Sequence, residues 1–232
     1  MCGRLNVSDD PFVRVLYDML NITVWTDEPI FKPYIGAAQK VAIVRGTERG
    51  RELNHATWWL LLDLTENSFK PSKYTSFNTR YDKLDVPRSA GFTAYRQSRC
   101  IIPATGFGES EFKHKKRVHC HDMQAVNSAI AFGGLYREWL HSRTGERVLS
   151  CSIITLPPNP KLANIHSKSI PLMLPHNEAL FNAWLDPTFT DTSQFTPLLQ
   201  PNLRHTLAIQ QIEKPSGYDL PINTPFVIER DL

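Results

Sequence analysis

The chain has 232 residues, of which 41% are hydrophobic and 21% charged, and its formal net charge at pH 7 is +3. This is ordinary globular composition, sufficient for one large domain or two small ones. The longest apolar run, residues 58–62, is far too short to span a membrane, so we expect no membrane partner. The mild positive charge is compatible with nucleic acid but does not by itself indicate it.

Cysteine usage argues against a disulfide-stabilised scaffold. The four cysteines contain no CxxC pair, and they are Cys2, Cys100, Cys120 and Cys151. Four cysteines in a chain of this length do not make a disulfide framework, and the N-terminus lacks the basic segment and apolar run of a signal peptide. We therefore expect a reducing, cytoplasmic location.

The first elements in chain order are a short strand at residues 3–7 and an amphipathic helix. Residues 8–11 (SDDP) are typical of a helix start, because acidic residues cap the helix and proline suits its first turn. The helix should bury one face, since apolar residues follow at helical spacing: Phe12, Val15, Leu16, Met19 and Leu20. Residues 23–39 hold two prolines and little periodicity, and they are predicted to form a long loop.

The rest of the chain is predicted to be mostly strand. Strands are expected at residues 41–45, 52–63, 74–80, 100–103, 112–122, 129–136, 148–156, 170–174 and 207–212. Helices are expected at residues 89–97 and 176–185, with a helical turn at 192–199 and an irregular proline-rich tail. The glycine-rich segment 104–109 is predicted to turn the chain.

Strands outnumber helices in this prediction, and short turns join most of them. We therefore predict a single α+β domain over residues 1–232. It would be built on a curled, largely antiparallel, barrel-like sheet with a few flanking helices.

Cys2 directly follows Met1 and is a candidate nucleophile. Once Met1 is removed, Cys2 carries a free α-amine and a thiol with reference pKa values of roughly 8 and 8.5, so both are partly reactive near neutral pH. Such an aminothiol can attack an aldehyde twice and close a thiazolidine ring, or use its amine as a base and its sulfur as an acyl acceptor. Many proteins carry a small residue after Met1 without a catalytic role, so the position alone does not decide.

Three further polar positions lie at the ends of apolar strands. Asn78 and Arg80 share one strand face and could orient a carbonyl and hold a phosphate, although an exposed strand end is the simpler explanation. Glu109, close to Phe107, could have a raised pKa and move protons, or it could lie on the surface. His166 suits acid–base work near neutral pH, with a structural histidine as the equal alternative.

The segment 113–122 is a candidate metal site because it holds three histidines, a cysteine and an aspartate. In a strand, His119 and His121 face one way while Cys120 and Asp122 face the other, so the candidate ligands do not converge. Interleaved basic residues would also repel a cation: Lys113, Lys115, Lys116 and Arg117. We predict no metal and no other cofactor, and we interpret the segment as a basic hairpin that contacts phosphate.

Two more pairs of residues could extend a nucleic-acid surface. Arg96 and Arg99 could add positive charge to the hairpin. Trp58 or Trp59 could stack on a base, although a tryptophan in such an apolar run more commonly belongs to the core.

Taken in order, several segments resemble the SOS-response-associated peptidase (SRAP) family, whose members sense abasic sites in single-stranded DNA. The resemblance runs from residue 1 to about residue 175. The matching segments are residues 1–4 (MCGR), Trp58, residues 77–80 (FNTR), 99–109 (RCIIPATGFGE), 132–136 (FGGLY) with Trp139, and Ile154-Thr155 followed by Ile165-His166. Each segment is weak alone, whereas six in order at similar spacing are specific.

The resemblance implies a covalent sensor that shields abasic sites in single-stranded DNA, acting as a monomer in the cytoplasm and at the nucleoid when bound to DNA. Cys2, freed of Met1 by self-cleavage, would form a thiazolidine with the ring-opened sugar. Asn78 would position the amine and the sugar, Glu109 would move protons, and His166 would act as an acid or a base. The implied DNA contacts are Arg4 and Arg80, which would hold phosphates, together with Trp58 and Thr155.

The chain departs from the family pattern at several positions. Ser110 stands where the family usually has tryptophan, and residues 58–64 lack the usual glycine, proline and second tryptophan. Residues 33–37 lack the family's asparagine loop, and the run after His166 is one residue longer. The catalytic set matches better than the DNA-binding surface, so we expect a diverged member.

Two other functions remain open on the sequence. Glutamine amidotransferases with an N-terminal cysteine also begin Met-Cys-Gly, but we find none of their downstream motifs here. A non-covalent single-stranded DNA-binding module, in which Cys2 is incidental, is the second alternative.

Overall fold

The computed structural model describes residues 3–217 and 220–231. Cys2, on which the predicted nucleophile falls, therefore lies outside the described residues.

Helices are few in the described part of the chain. They are α1 (Pro11–Met19), α2 (Phe92–Gln97) and α3 (Glu178–Leu185), with 3₁₀ segments at Tyr81–Lys83, Pro160–Leu162 and Thr192–Leu199. Among these residues no helix combines the length and apolar character needed to cross a membrane.

Side-chain caps confirm two predicted helix starts. The Asp10 carboxylate accepts hydrogen bonds of 2.9 Å from the backbone amides of Phe12 and Val13, at the start of α1. The Asn177 side-chain oxygen accepts one of 2.8 Å from the amide of Leu180. These bonds satisfy amides that the first helical turn leaves without an intrahelical partner.

Strands dominate the described residues. They are β1 (Arg4–Val7), β2 (Val24–Trp25), β3 (Lys32–Gly36), β4 (Lys40–Thr47), β5 (Gly50–Thr57), β6 (Leu62–Leu64), β7 (Phe69–Pro71), β8 (Asn78–Arg80), β9 (Arg99–Ala104), β10 (Gly106–Lys113), β11 (Lys116–Ala125), β12 (Ile130–Leu140), β13 (Arg147–Leu156), β14 (Ile170–Pro171), β15 (Met173–Leu174), β16 (Leu207–Ile212) and β17 (Phe226–Ile228).

Five of these strands close into a barrel. Strands β13, β12, β9, β4 and β5 pair in that order through antiparallel ladders, and β5 pairs again with β13 in parallel. The core is apolar, with fully buried side chains such as Ile101, Phe132 and Ile153. The predicted α+β class with a curled, largely antiparallel sheet is confirmed.

A second sheet, ordered β17-β16-β11-β10-β1-β3, is antiparallel throughout. The chain passes into it from the barrel at Thr105, whose amide and hydroxyl both donate to the carbonyl of Asn6, at 2.9 and 2.8 Å. The predicted turn over residues 104–109 is therefore wrong, because strand continues on both sides of Thr105. Gly106 instead permits close packing, since a Cβ there would lie 2.2 Å from the carbonyl oxygen of Met123.

Three other boundaries differ from the prediction for the same physical reason, long-range backbone pairing. The predicted loop 23–39 contains β2 and β3, which pair with β5 and β1. The predicted strand 52–63 is broken after Thr57, where the amide of Trp58 bonds to the carbonyl of Gln39 at 2.8 Å. The tail contains β17, which pairs with β16.

Candidate active site

A cavity of about 300 Å³ lies against the second sheet and the loop that carries His166. It brings together three of the predicted site residues, Arg4, Glu109 and His166, with Gly3, the residue that follows Cys2 in the chain. The full lining is Gly3, Arg4, Phe77, Gly108, Glu109, Ser110, Phe112, Cys120, His121, His166, Lys168, Ile212 and Pro215.

The register of β10 and β11 sets the chemistry of one cavity wall. Glu109 lies directly opposite His121, and Glu111 lies opposite His119. Residues two apart on a strand share a face, so both glutamates and both histidines lie on the same side of this ladder. This face of the ladder therefore carries four ionisable side chains, of which Glu109 and His121 line the cavity.

Glu109 and His166 form the centre of the site. The Nε2 atom of His166 lies 3.7 Å from a carboxylate oxygen of Glu109, and each residue is only 3% exposed. The loop holds its place because the amide of His166 donates to the carbonyl of Leu162 at 2.9 Å, just after the 3₁₀ segment Pro160–Leu162. Two side chains 57 residues apart thus meet with little exposure to water.

Burial moves the two pKa values in opposite directions. It raises the pKa of the Glu109 carboxyl to about 7, and the charge of Glu111 acts in the same sense. Burial lowers the pKa of the His166 imidazole to about 4, against the opposing effect of the Glu111 carboxylate. At neutral pH the site therefore holds a neutral imidazole beside a carboxyl that titrates near that pH, which suits proton transfer in both directions.

Sequence reasoning missed Glu111. One of its carboxylate oxygens lies 3.2 Å from Nδ1 of His166, and the carboxylate accepts hydrogen bonds from the hydroxyl of Ser167 at 2.7 Å and its amide at 3.1 Å. Burial alone would raise the pKa of Glu111, but these hydrogen bonds and the charges of His166 and Lys168 outweigh it and lower that pKa. The sequence did offer one signal, because residues i and i+2 of a strand share a face and Glu111 lies two residues after Glu109.

Arg4 lies in the cavity wall, but its charge is already compensated. Its guanidinium pairs with the buried carboxylate of Asp122 and donates to the carbonyl of Pro215 at 2.9 Å. A Cβ at Gly108 would lie 2.2 Å from Nε of Arg4, so any side chain there would displace the guanidinium. The predicted phosphate contact of Arg4 stays a prediction, with Asp122 as a competing anion.

Asn78, Arg80 and Thr155 lie beside the first cavity. Strand β8 pairs in parallel with β13, which places Asn78 opposite Ile153 and Arg80 opposite Thr155. Asn78 is half-buried and is not among the lining residues, although its neighbour Phe77 is. Arg80 is 67% exposed at its side chain and bonds to Asp82.

A second cavity, of about 410 Å³, contains both Arg80 and Thr155. Its lining is Arg80, Tyr81, Thr155, Leu156, Pro157, Pro158, Lys168 and Ser169. Lys168 borders both cavities, so the two lie side by side.

Two surface predictions fail because the side chains are buried. Trp58 is fully buried, and its Nε1 donates to the carbonyl of Phe77 at 2.8 Å, so it offers no ring face to a base. Arg99 is 3% exposed and donates to backbone carbonyls, including those of Trp184 and Tyr95, instead of adding to a basic surface.

The predicted basic hairpin is present as β10 and β11. Its tip, His114 and Lys115, has positive φ angles of 50° and 65°. The basic side chains around this tip are exposed: Lys113, Lys115, Lys116 and Arg117. In the described ranges no group of three or more His, Cys, Asp or Glu residues is arranged to hold a metal ion.

Comparisons with known proteins identify relatives and structures of the same fold. Two relatives from Bacillus subtilis (strain 168) are "Abasic site processing protein YoqW", 26% identical over 204 residues and 87% of each chain, and "Abasic site processing protein YobE", 23% identical over 232 residues and 99% of each chain. Crystal structures of proteins from Bordetella bronchiseptica and Bacteroides thetaiotaomicron share the fold, with TM-scores of 0.68 and 0.71. Their identities are 18% and 17%, and they cover 92% and 95% of this chain and 100% of their own.

The family model described as SOS response associated peptidase (SRAP) matches residues 1–216, which is nearly the whole chain. The chain therefore belongs to the SOS response associated peptidase family.

Proposed function

We propose that this protein captures abasic sites in single-stranded DNA as a covalent crosslink through Cys2. The observation that carries the proposal is the buried Glu109–His166 pair in a cavity bordered by Gly3. The names of YoqW and YobE support abasic DNA as the substrate class. An abasic sugar in its ring-opened form presents an aldehyde, which is the group that a 1,2-aminothiol traps.

The first step is hydrolysis of the bond between Met1 and Cys2, carried out by the protein itself. It consumes one water and leaves a free α-amine on Cys2. Glu109 suits this step because a carboxyl with a pKa of about 7 can take a proton from water and return it to the departing amine.

The second step joins Cys2 to the sugar. The α-amine adds to the aldehyde carbon and one water leaves, which gives a Schiff base. The thiol then adds across the C=N bond, so that one C–N and one C–S bond replace the C=O bond and no oxidant is needed. The carboxylic acid form of Glu109 can protonate the departing hydroxyl, and neutral His166 can accept a proton as the sugar ring opens.

The second cavity supports a path for the DNA strand. Lys168 borders both cavities, and Arg80 is exposed in the second, so two cations can follow a phosphate backbone away from the lesion. Asn78 and Thr155 would position the sugar and the adjoining nucleotide from β8 and β13. In this proposal the protein acts as a monomer, in the cytoplasm, and the exposed hairpin tip supplies further phosphate contacts.

The test is incubation with a single-stranded oligonucleotide that carries one abasic site, followed by separation under denaturing conditions. The wild type should give a shifted band, and Cys2→Ala should abolish it. Cys151→Ala, which removes a thiol buried in the barrel, is the matched control and should keep the band. Retention of the band in Cys2→Ala with its loss in Cys120→Ser would assign the nucleophile to the thiol at the cavity wall and contradict the proposal.

A further inference from the structure

Glu111 has no part in the chemistry proposed above, yet it is one of the most firmly held side chains of the site. It is 6% exposed, and both of its carboxylate oxygens accept a hydrogen bond from Ser167. Ser167 directly follows His166, so these hydrogen bonds fix the loop at the residue next to His166. A buried carboxylate held in this way has a fixed position from which to act on its neighbours.

The imidazole of His166 lies between two carboxyl groups. Its Nδ1 is 3.2 Å from an oxygen of Glu111, and its Nε2 is 3.7 Å from an oxygen of Glu109. In a neutral imidazole one nitrogen carries the proton and the other accepts one, and the partner of each nitrogen decides which is which. Glu111 makes the shorter contact, and its lowered pKa keeps it ionised at neutral pH, so its negative charge favours the proton on Nδ1.

We propose that Glu111 is a positioning residue that holds the proton of His166 on Nδ1 and turns the unprotonated Nε2 toward Glu109. The inference deepens the proposed function, on which its activity readout rests. It concerns the orientation and tautomer of His166, and Glu111 itself does not touch the substrate.

The charges around the site divide the roles of the two glutamates. Glu111 receives two donors from Ser167 and lies near Lys168, which keeps it ionised. Glu109 is more deeply buried, faces the negative charge of Glu111 and retains its proton to a higher pH. Two carboxyl groups in one site can thus serve as a fixed anion and as a titrating acid.

The other ionisable groups on this side belong to three elements. His119 and His121 face the glutamates from β11, Lys168 follows on the His166 loop, and Arg4 lies on β1 paired to Asp122. An oxygen of Glu111 lies 3.2 Å from Nδ1 of His166, and the backbone of Ser110 also forms a hydrogen bond with the imidazole. As an ionised carboxylate at this distance from Nδ1, Glu111 is placed to influence the tautomer.

The direct test is nitrogen NMR of the His166 ring in the full-length protein at pH 7. The spectrum of His166→Asn identifies the resonances by their loss. The wild type should show a protonated Nδ1 and an unprotonated Nε2, and Glu111→Gln should move the equilibrium toward the Nε2-protonated form. Ser167→Ala, which removes one donor to Glu111, should move it less far in the same direction. An unchanged tautomer in a folded Glu111→Gln variant would overturn the proposal.

The activity readout separates positioning from binding. Glu111→Gln should slow crosslinking to abasic single-stranded DNA roughly tenfold, at the low end of what carboxylate partners of functional histidines contribute. Its affinity for an oligonucleotide with a tetrahydrofuran in place of the abasic sugar, which has no aldehyde, should stay unchanged. The acidic limb of the rate–pH profile should move to lower pH, because the charge of Glu111 raises the pKa of Glu109.

Glu146→Gln is the matched control, since Glu146 is an exposed glutamate in the loop between β12 and β13. It should match the wild type in tautomer, rate and pH profile. Weaker affinity in Glu111→Gln at an unchanged crosslinking rate would contradict a positioning role. If the wild type forms no crosslink, the proposed function fails, while the NMR measurement still decides the role of Glu111.

Discussion

The consecutive strands β9 and β10 are separated only by Thr105, and they use burial in different ways. All six residues of β9 are buried, and four of them pack in the apolar core. In β10 the buried residues include Glu109 and Glu111, whose carboxylate oxygens lie 3.7 and 3.2 Å from the imidazole of His166. Burial in the barrel stabilises the fold through apolar contacts, whereas burial on β10 shifts the pKa values of ionisable groups. The two adjacent strands therefore differ in role, because β9 packs mainly into the apolar core whereas β10 also carries ionisable groups of the site.

The strongest test of this difference replaces one residue on β10 and, in a second variant, one residue of the barrel core. Glu109→Gln should lower the crosslinking rate by about 100- to 10,000-fold, the range that a general acid–base group contributes. Phe132→Ala in the barrel should instead lower the free energy of unfolding by about 3–5 kcal/mol, because it leaves a cavity in the core. Urea denaturation and denaturing gels measure the two effects. A Glu109→Gln protein as unstable as Phe132→Ala would break the comparison.

The pH dependence of stability should separate the two members of the buried pair. The folded-state pKa of Glu109, about 7, lies above its usual 4.5, so its contribution is present below pH 4.5 and is lost as the pH rises to 7. The pKa of His166, about 4, lies below its usual 6.5, so its contribution is present above pH 6.5 and is lost as the pH falls to 4. The two contributions therefore oppose each other between about pH 4.5 and 6.5.

Variants should reveal each contribution alone. His166→Asn, which keeps only the Glu109 contribution, should lose stability as the pH rises from 4.5 to 7, and Glu109→Gln, which keeps only the His166 contribution, should gain stability as the pH rises from 4 to 6.5. Each change should be on the order of 1–3 kcal/mol, measured as the free energy of unfolding in urea at a series of pH values. Slopes of the same sign in both variants would show that the pair does not titrate in this way.

The smallest expected effect concerns the exposed hairpin tip. Replacing both Lys115 and Lys116 by alanine should leave stability and the crosslinking rate at saturating DNA unchanged. The slope of log affinity against log salt should fall by roughly 1.4, since each phosphate contact with a single strand contributes about 0.7. Lys70→Ala, on the separate ribbon of β6 and β7, is the control. An unchanged slope in the double variant would exclude the hairpin from the DNA surface.

Local signals predicted the parts of the fold that local chemistry decides. The cap at Asp10 forms as expected, because a side chain and the amides it caps are neighbours in sequence. The turn predicted over residues 104–109 was wrong, because glycines there serve close packing between strands that pair across the sheet. Residues 23–39 form strands only through partners that no local pattern reveals.

The site residues also divide into those that the sequence indicated and those that only the structure revealed. The resemblance to the family named Glu109 and His166, and the structure brings them together. Glu111 escaped notice because its partners, His166 and Ser167, are more than 50 residues away. Trp58 was misassigned as a DNA contact because an apolar run does not show which tryptophan the core takes.

The most direct measurement is the mass of the N-terminal peptide after reaction with abasic single-stranded DNA and digestion of both components. Thiazolidine formation predicts a peptide that begins at Cys2, carries the sugar with the loss of one water, and has a thiol that resists alkylation. An adduct on another residue, or an adduct on a peptide that retains Met1, would contradict the capture of abasic sites by the α-amine and thiol of Cys2.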